Sequence, residues 1–144
     1  MALQVKTVEV WSGLMPDQAG ALDRVLEALA AAGANLECVV GRRQPDQPGM
    51  GHVYLTPIKG KKVVAAAQAA GLAPVKTMTL RVEGPNKPGS GHAVMAAVAA
   101  AGVNVRGVSM IALGNKSVAF IGLDSAADAA VASKAIKAAD KRKK

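Results

Sequence analysis

The stretch GPNKPGSGHAV, residues 84–94, lies between a strand-like apolar run and an alanine-rich, helix-like run. It has a counterpart 69 residues earlier in MPDQAGALDRV, residues 15–25. At this offset Asn86-Lys87-Pro88-Gly89 falls on Asp17-Gln18-Ala19-Gly20. Self-similarity at a fixed offset indicates a structural repeat, so we expect the same strand-to-helix loop to occur twice.

A second landmark supports the duplication. Gly33-Ala34-Asn35-Leu36 recurs as Gly102-Val103-Asn104-Val105, at the same offset and without a gap. Alanine richness alone can make two helices look alike, but it does not reproduce two loops in register. We therefore predict two domains, the first over residues 1–76 and the second over residues 77–144.

Each half is expected to follow the order βαββα, with helices over residues 21–32, 61–70, 91–101 and 126–139. The first helix carries apolar residues at helical spacing and ends at Gly33, which tolerates the left-handed conformation of a helix stop. The alternating run KTVEVW (6–11) is predicted as the first strand, followed by a long loop SGLMPDQAG (12–20). The first half adds a short fourth strand at residues 73–76.

This order of elements predicts an α+β fold of two ferredoxin-like units, each with an antiparallel sheet and both helices on one face. The second half has no recognisable fourth strand, which would leave a sheet edge open to pairing. The N-terminal strand ALQVKTVEV (2–10) is a candidate to cover such an edge. Because units of about 70 residues are marginal alone, we expect each half to bury surface against a neighbour.

The composition favours a cytoplasmic protein without disulfides. The chain has a single cysteine, Cys38, which is expected to be a buried and inert thiol. It has no apolar run of the roughly 18–20 residues that cross a membrane, and its N-terminus does not have the pattern of a signal peptide. Lys141 to Lys144 supply four of its +8 formal charges. Because basic residues suit the end of a final helix, we expect a solvated tail.

The loop does not match the known nucleotide-binding patterns. Gly84 and Gly89 have the spacing of the phosphate loop G-x-x-x-x-G-K-[ST], but Ser90 stands where the lysine is required. The dinucleotide-binding pattern G-x-G-x-x-G also fails, because Gly89-Ser90-Gly91 continues into His92-Ala93-Val94.

No catalytic or metal-binding set is recognisable in the sequence. His52 and His92 are the two histidines, and neither has neighbours that resemble metal ligands or a nucleophile set. RNA-recognition domains share this strand order, but the aromatic pattern on which they stack bases is missing. We predict no enzyme activity, no metal site and no cofactor.

The loop has two interpretations that the residues alone leave open. Backbone N–H groups at the start of a helix, with the positive end of its dipole, can bind an anion such as a carboxylate. Gly20 and Gly89 would let a ligand approach the backbone, and Asp17 and Asn86 could bind an ammonium or hydroxyl group. Alternatively, Asp17 and Asn86 only organise the turn, as Asx residues commonly do.

The repeated pattern, DQAG…GANL and NKPG…GVNV, resembles the ACT domain. ACT domains are non-catalytic, ferredoxin-like modules that bind amino acids and regulate enzymes or transcription, often with their sheets paired side by side. Two departures are Ala19 in place of the usual proline and Gly91 in place of the leucine that the first repeat keeps as Leu22. The resemblance implies ligand-binding residues in the first loops and at the entry to the second strands: Asp17, Gln18, Ala19, Gly20, Asn35, Asn86, Lys87, Pro88, Gly89 and Asn104.

The same resemblance implies a regulatory sensor of a small amino acid, with the ligand near the interface of the two domains. A homodimer and a regulated enzyme or regulator are the expected partners. The alternative is a regulatory subunit or repressor-like adaptor that acts by protein contact without a retained ligand site. Nucleic-acid binding through the basic tail is a third, less favoured hypothesis.

Overall fold

Two four-stranded antiparallel sheets, each carrying two helices, form the computed structural model of the chain, which describes residues 3–142. Lys143 and Lys144 of the basic tail, and Ala2 of the N-terminal run, lie outside the described residues. The elements are β1 (Gln4–Val8), β2 (Trp11–Pro16), α1 (Ala21–Ala31), β3 (Cys38–Arg43), β4 (Met50–Thr56), α2 (Lys61–Ala69), β5 (Ala73–Pro74), β6 (Met78–Pro85), α3 (Ser90–Ala100), β7 (Gly107–Leu113), β8 (Lys116–Leu123) and α4 (Ala126–Arg142).

The chain divides into two compact units. We call Glu9–Lys76 the middle unit, and the chain before Glu9 together with the chain from Thr77 onward the split unit. The expected boundary between residues 76 and 77 is one of the two junctions. Residues 3–8, which were predicted to lie in the first domain, belong to the split unit.

The middle unit has the strand order β3-β4-β2-β5, with α1 and α2 packed against one face of the sheet. Val53 and Leu55 alternate along β4 and point to the same side, where Leu29 of α1 and Ala67 of α2 meet them. All four side chains are fully buried. Trp11 at the start of β2 completes this core.

The split unit has the order β1-β6-β8-β7, and β1 therefore occupies the sheet position that β5 holds in the middle unit. Leu80 of β6 and Ile121 of β8 meet Val98 of α3 and Ile136 of α4 in its core. The predicted α+β, ferredoxin-like fold is confirmed for both units. The N-terminal strand does cover the open edge of the second sheet, because Gln4–Val8 pairs antiparallel with β6.

The predicted first strand KTVEVW and the long loop after it are wrong. The strand of the middle unit is Trp11–Pro16, and most of the alternating run before it is β1. Thr56 Oγ1 donates a hydrogen bond to the Glu9 carbonyl oxygen at 2.7 Å, which fixes the chain where the two strands separate. Apolar and polar residues keep alternating from β1 towards β2, so the sequence periodicity could not show where the first strand ends. The predicted helices are confirmed to within a few residues at their ends, and the fourth strand is shorter than predicted.

Candidate ligand-binding site

The first loop, at the start of α1, is an exposed turn held by backbone hydrogen bonds. The Asp17 N–H donates to the Gly49 carbonyl at 2.9 Å, and the Ala21 N–H donates to the Gln18 carbonyl at 3.2 Å. The Asp17 carboxylate lies 2.9 Å from Arg43 Nε. The acidic group that the sequence offered for a ligand ammonium is therefore in contact with a guanidinium.

The second loop, at the start of α3, repeats this backbone pattern. The Asn86 N–H donates to the Asn115 carbonyl at 2.9 Å, and the Ser90 N–H donates to the Lys87 carbonyl at 3.1 Å. Asn86 Nδ2 also donates to the Gly114 carbonyl at 3.2 Å. The side chain thus ties the loop to the β7–β8 turn, as expected for an Asx residue that organises its surroundings.

Both helices begin after a glycine in the left-handed conformation, with φ of 86° at Gly20 and 83° at Gly89. Neither helix has a side-chain cap at this end. The N–H groups of Gly91 and His92 lie in the first turn of α3, where helical geometry supplies no acceptor. This end of α3 can therefore donate hydrogen bonds to an anion.

A cavity of about 390 Å³ adjoins the second loop and lies within the split unit. Its base is apolar and reaches the core at Val82, Val94 and Ile136, while Met110 and Leu3 form side walls. Of the sequence-predicted site residues, the second loop supplies three to its lining: Asn86, Lys87 and Gly89.

Two hydroxyl groups at the mouth of this cavity were not singled out from the sequence. Ser90 Oγ and Ser117 Oγ each donate to the Pro85 carbonyl at 3.3 Å, and both residues line the cavity. The Lys87 N–H donates in turn to Ser90 Oγ at 3.1 Å. The available signal was the replacement of Ala21 of the first repeat by Ser90 in the second.

One acidic side chain, Asp140 near the end of α4, also lines the cavity. Its Oδ2 accepts a hydrogen bond of 2.9 Å from the Leu3 N–H. Together with the Lys87 side chain and the start of α3, the carboxylate gives the cavity groups of both signs. Asp140 lies more than 50 residues from the loop, so no local sequence pattern connects the two.

Asn35 and Asn104 are exposed and follow the C-terminal ends of α1 and α3. Each of these helices has 11 residues and is therefore about 16 Å long. Within its own unit each asparagine thus lies at the opposite end of the helix from the loop. The structure does not bring Asn104 into the lining of the cavity.

Neither histidine lines the cavity, and the same is true of the cysteine. The His52 ring stacks on Tyr54 with centroids 4.5 Å apart, and His92 is exposed. Burial raises the pKa of the Cys38 thiol. Within residues 3–142, no three histidine, cysteine or acidic side chains are grouped as metal ligands, and no helix has the length and apolarity needed to span a membrane.

Solved structures with the same fold cover nearly the whole chain. Protein BT0572 from Bacteroides thetaiotaomicron superposes with a TM-score of 0.76 at 20% identity, over 90% of this chain and 88% of that one. The chain has the tandem ACT-domain fold.

This tandem ACT fold is also shared with regulatory subunits of aspartate kinase. The subunit from Thermus thermophilus has a TM-score of 0.66 at 19% identity and covers 96% of this chain and 97% of its own. The subunit from Thermus flavus has a TM-score of 0.62 at 19% identity, with 97% of each chain covered. No family profile matches the sequence, and no curated protein matches it.

Proposed function

We propose that the chain is a non-catalytic regulatory protein of the cytoplasm that binds an amino acid at the second loop. The observation that carries this proposal is the cavity of about 390 Å³ beside the start of α3. Its size falls within the roughly 300–1,000 Å³ of small-ligand pockets. The fold supports the proposal, because two of the similar chains are regulatory subunits of an enzyme.

The polar groups around the mouth suit a zwitterion. The free N–H groups of Gly91 and His92 and the Lys87 ammonium would receive the ligand carboxylate. Asp140 would face the ligand ammonium from α4, in addition to its bond with the Leu3 N–H. Asn86 would act through the shape of the loop, because its amide group is bonded to the β7–β8 turn.

The first loop is the weaker candidate. Asp17 is paired with Arg43 at 2.9 Å, so a ligand ammonium would have to compete with a guanidinium already in contact. Gln18, Ala19 and Gly20 remain candidate contacts of this loop. We therefore propose one principal site in the split unit.

A thermal-shift screen of the twenty amino acids tests this function. A ligand at 100 times its dissociation constant should stabilise the fold by about 2.7 kcal/mol. Asn86→Ala should reduce the shift strongly, and Asp17→Ala should leave it in place. Gln47→Ala, at an exposed residue of the β3–β4 loop, is the matched control. If none of the amino acids produces a shift, the proposed function is wrong.

A second candidate function, protein contact through β7, is favoured by the exposure of that strand. Leu113 is 84% exposed and Ile111 is 67% exposed, and β7 carries no charged residue. The equivalent edge of the middle unit, β3, ends in Arg42 and Arg43, which is how sheet edges are commonly protected from pairing. We propose that β7 pairs with a second copy of the chain, and that a regulated enzyme receives the signal.

Sedimentation measurements separate the two candidates. Leu113→Lys should convert a dimer into a monomer without changing the ligand-induced shift, because Leu113 is not among the residues that line the cavity. Val131→Lys, at an exposed valine on α4, is the control for a new surface charge. A dimer that persists in Leu113→Lys would place the interface elsewhere.

A further inference from the structure

The two units differ at one pair of equivalent positions where the first helix crosses an edge strand. Register defines the equivalence, because Gly41 pairs with Val53 in the middle unit and Met110 pairs with Ala119 in the split unit. In the middle unit Leu22 of α1 faces this glycine, since a Cβ built on Gly41 would lie 3.6 Å from Leu22 Cδ2.

In the split unit the large and small residues are exchanged. Gly91 of α3 stands at the position of Leu22, and Met110 of β7 stands at the position of Gly41. A Cβ built on Gly91 would lie 2.9 Å from Met110 Sδ. Compared with the middle unit, the helix thus lacks a side chain at this position, and the strand carries a flexible side chain that is 45% exposed.

A second exchange enlarges the same region. Met15 of β2 lies against both neighbouring glycines of the middle unit, with its Cε 3.4 Å from a Cβ built on Gly51. Its equivalent in the split unit is Gly84, and a side chain there would collide with Leu3. Leu3, from the segment before β1, lies in this space and also lines the cavity.

These exchanges explain why the split unit has a cavity beside its loop. Protein interiors are normally filled to the density of organic crystals. Met110 and Leu3 approach the two glycines from other elements, and the cavity is the space that these side chains leave open. In the middle unit Met15 and Leu22 pack against the core. In the split unit Gly84, Gly91 and the apolar residues behind them line open space.

We propose that this cavity is a pocket for an aliphatic side chain, and that the split unit alone binds ligand. The base formed by Val82, Val94 and Ile136 offers dispersion contacts and no hydrogen-bonding side chain. A polar side chain would lose its hydration there without compensation. Leucine, isoleucine, valine and methionine are the class that fits, with Met110 as an adaptable wall.

In this inference, recognition of the amino-acid headgroup rests on the proposed function, whereas recognition of the aliphatic side chain does not. The test uses the full chain with Gly91→Leu and Met110→Gly combined, which reproduces the pairing of Leu22 and Gly41 that the middle unit already accommodates. Its readouts are calorimetric affinities for the aliphatic amino acids, for serine and aspartate, and for 4-methylpentanoate, which is leucine without its amino group.

We expect the wild type to bind at least one aliphatic amino acid and neither serine nor aspartate. The double variant should bind the aliphatic ligand more than 100-fold more weakly and should unfold at a higher temperature when unliganded, because leucine fills the space. Met110→Gly alone should weaken binding far less than the double variant does, which would show that the added leucine causes most of the loss.

The other outcomes separate the two proposals. Binding of serine or aspartate in preference to aliphatic amino acids, or unchanged binding in the double variant, overturns the aliphatic pocket and leaves the amino-acid sensor standing. If no amino acid binds, the proposed amino-acid sensor is wrong, and the proposed aliphatic pocket is then tested by 4-methylpentanoate alone. Its binding to the wild type but not to the double variant supports the pocket, and its failure to bind either protein overturns it.

Discussion

The backbone N–H of Leu3 donates a hydrogen bond of 2.9 Å to the Asp140 carboxylate, across 137 positions of sequence. This bond joins the segment before β1 to the last helix and closes one side of the cavity. The side chain of Leu3 lies in the space beside Gly84.

Asp140→Ala should destabilise the unliganded protein by about 1 kcal/mol, because a partly buried N–H loses its acceptor. Urea unfolding measures the change. Asp140→Asn keeps an acceptor oxygen in the same place and should have a smaller effect. Equal losses in the two variants would mean that the charge, and not the hydrogen bond, stabilises the fold.

Gly89→Ala should cost roughly 1–2 kcal/mol of stability, because φ is 83° and an added Cβ disfavours that conformation. Gly107→Ala is the matched control, since Gly107 has ordinary φ and an added Cβ would meet nothing within 4 Å. The control should be neutral or more stable by up to about 1 kcal/mol. A neutral Gly89→Ala would contradict the strain argument.

Stability should fall in acid partly through Glu83. The hydrogen bond from Arg81, at 2.8 Å, and the charge of Arg81 lower the pKa of this carboxyl, and the Lys116 ammonium 3.5 Å away adds to the effect. Because the folded pKa lies below the unfolded one, the stabilisation is present above the unfolded pKa and is lost as pH falls through the folded pKa. In Glu83→Gln the unfolding midpoint should therefore fall less than in the wild type as the pH drops below the ordinary pKa of a glutamate. If the unfolding midpoint of Glu83→Gln falls in acid as much as that of the wild type, other carboxyl groups cause the loss of stability.

Cys38 should react slowly with iodoacetamide at about pH 8, because burial raises its pKa and the thiolate is the nucleophile. The same cysteine in urea-unfolded protein is the internal control and should react faster. Equal reaction rates in the folded and unfolded protein would show that folding does not protect the Cys38 thiol.

The sequence predicted the local structure well and the long-range pairing only in part. The match between residues 15–25 and residues 84–94 predicted two loops whose backbone hydrogen bonds turn out to be equivalent. The edge position of β1 was anticipated from the missing fourth strand. The point at which that strand ends was not, because alternation runs through Glu9 and Val10.

The cavity could not be predicted from the loop motif. Gly91 was recognised as a departure from Leu22, but its meaning depends on Met110, which faces it from a strand. That contact is known only once the strand register is known. Asp140 and Leu3 come from opposite ends of the chain, and no local pattern connects them.

The route of the chain through the split unit has a practical consequence. Val8 pairs with Thr79, so only Thr77 and Met78 would separate β1 from its partner strand if Glu9–Lys76 were excised. Two residues are the length of the tightest β-hairpin connection, which favours Asn-Gly at those positions. The middle unit is thus an insertion at a hairpin tip. Every residue that lines the cavity lies in the split unit, outside this insertion.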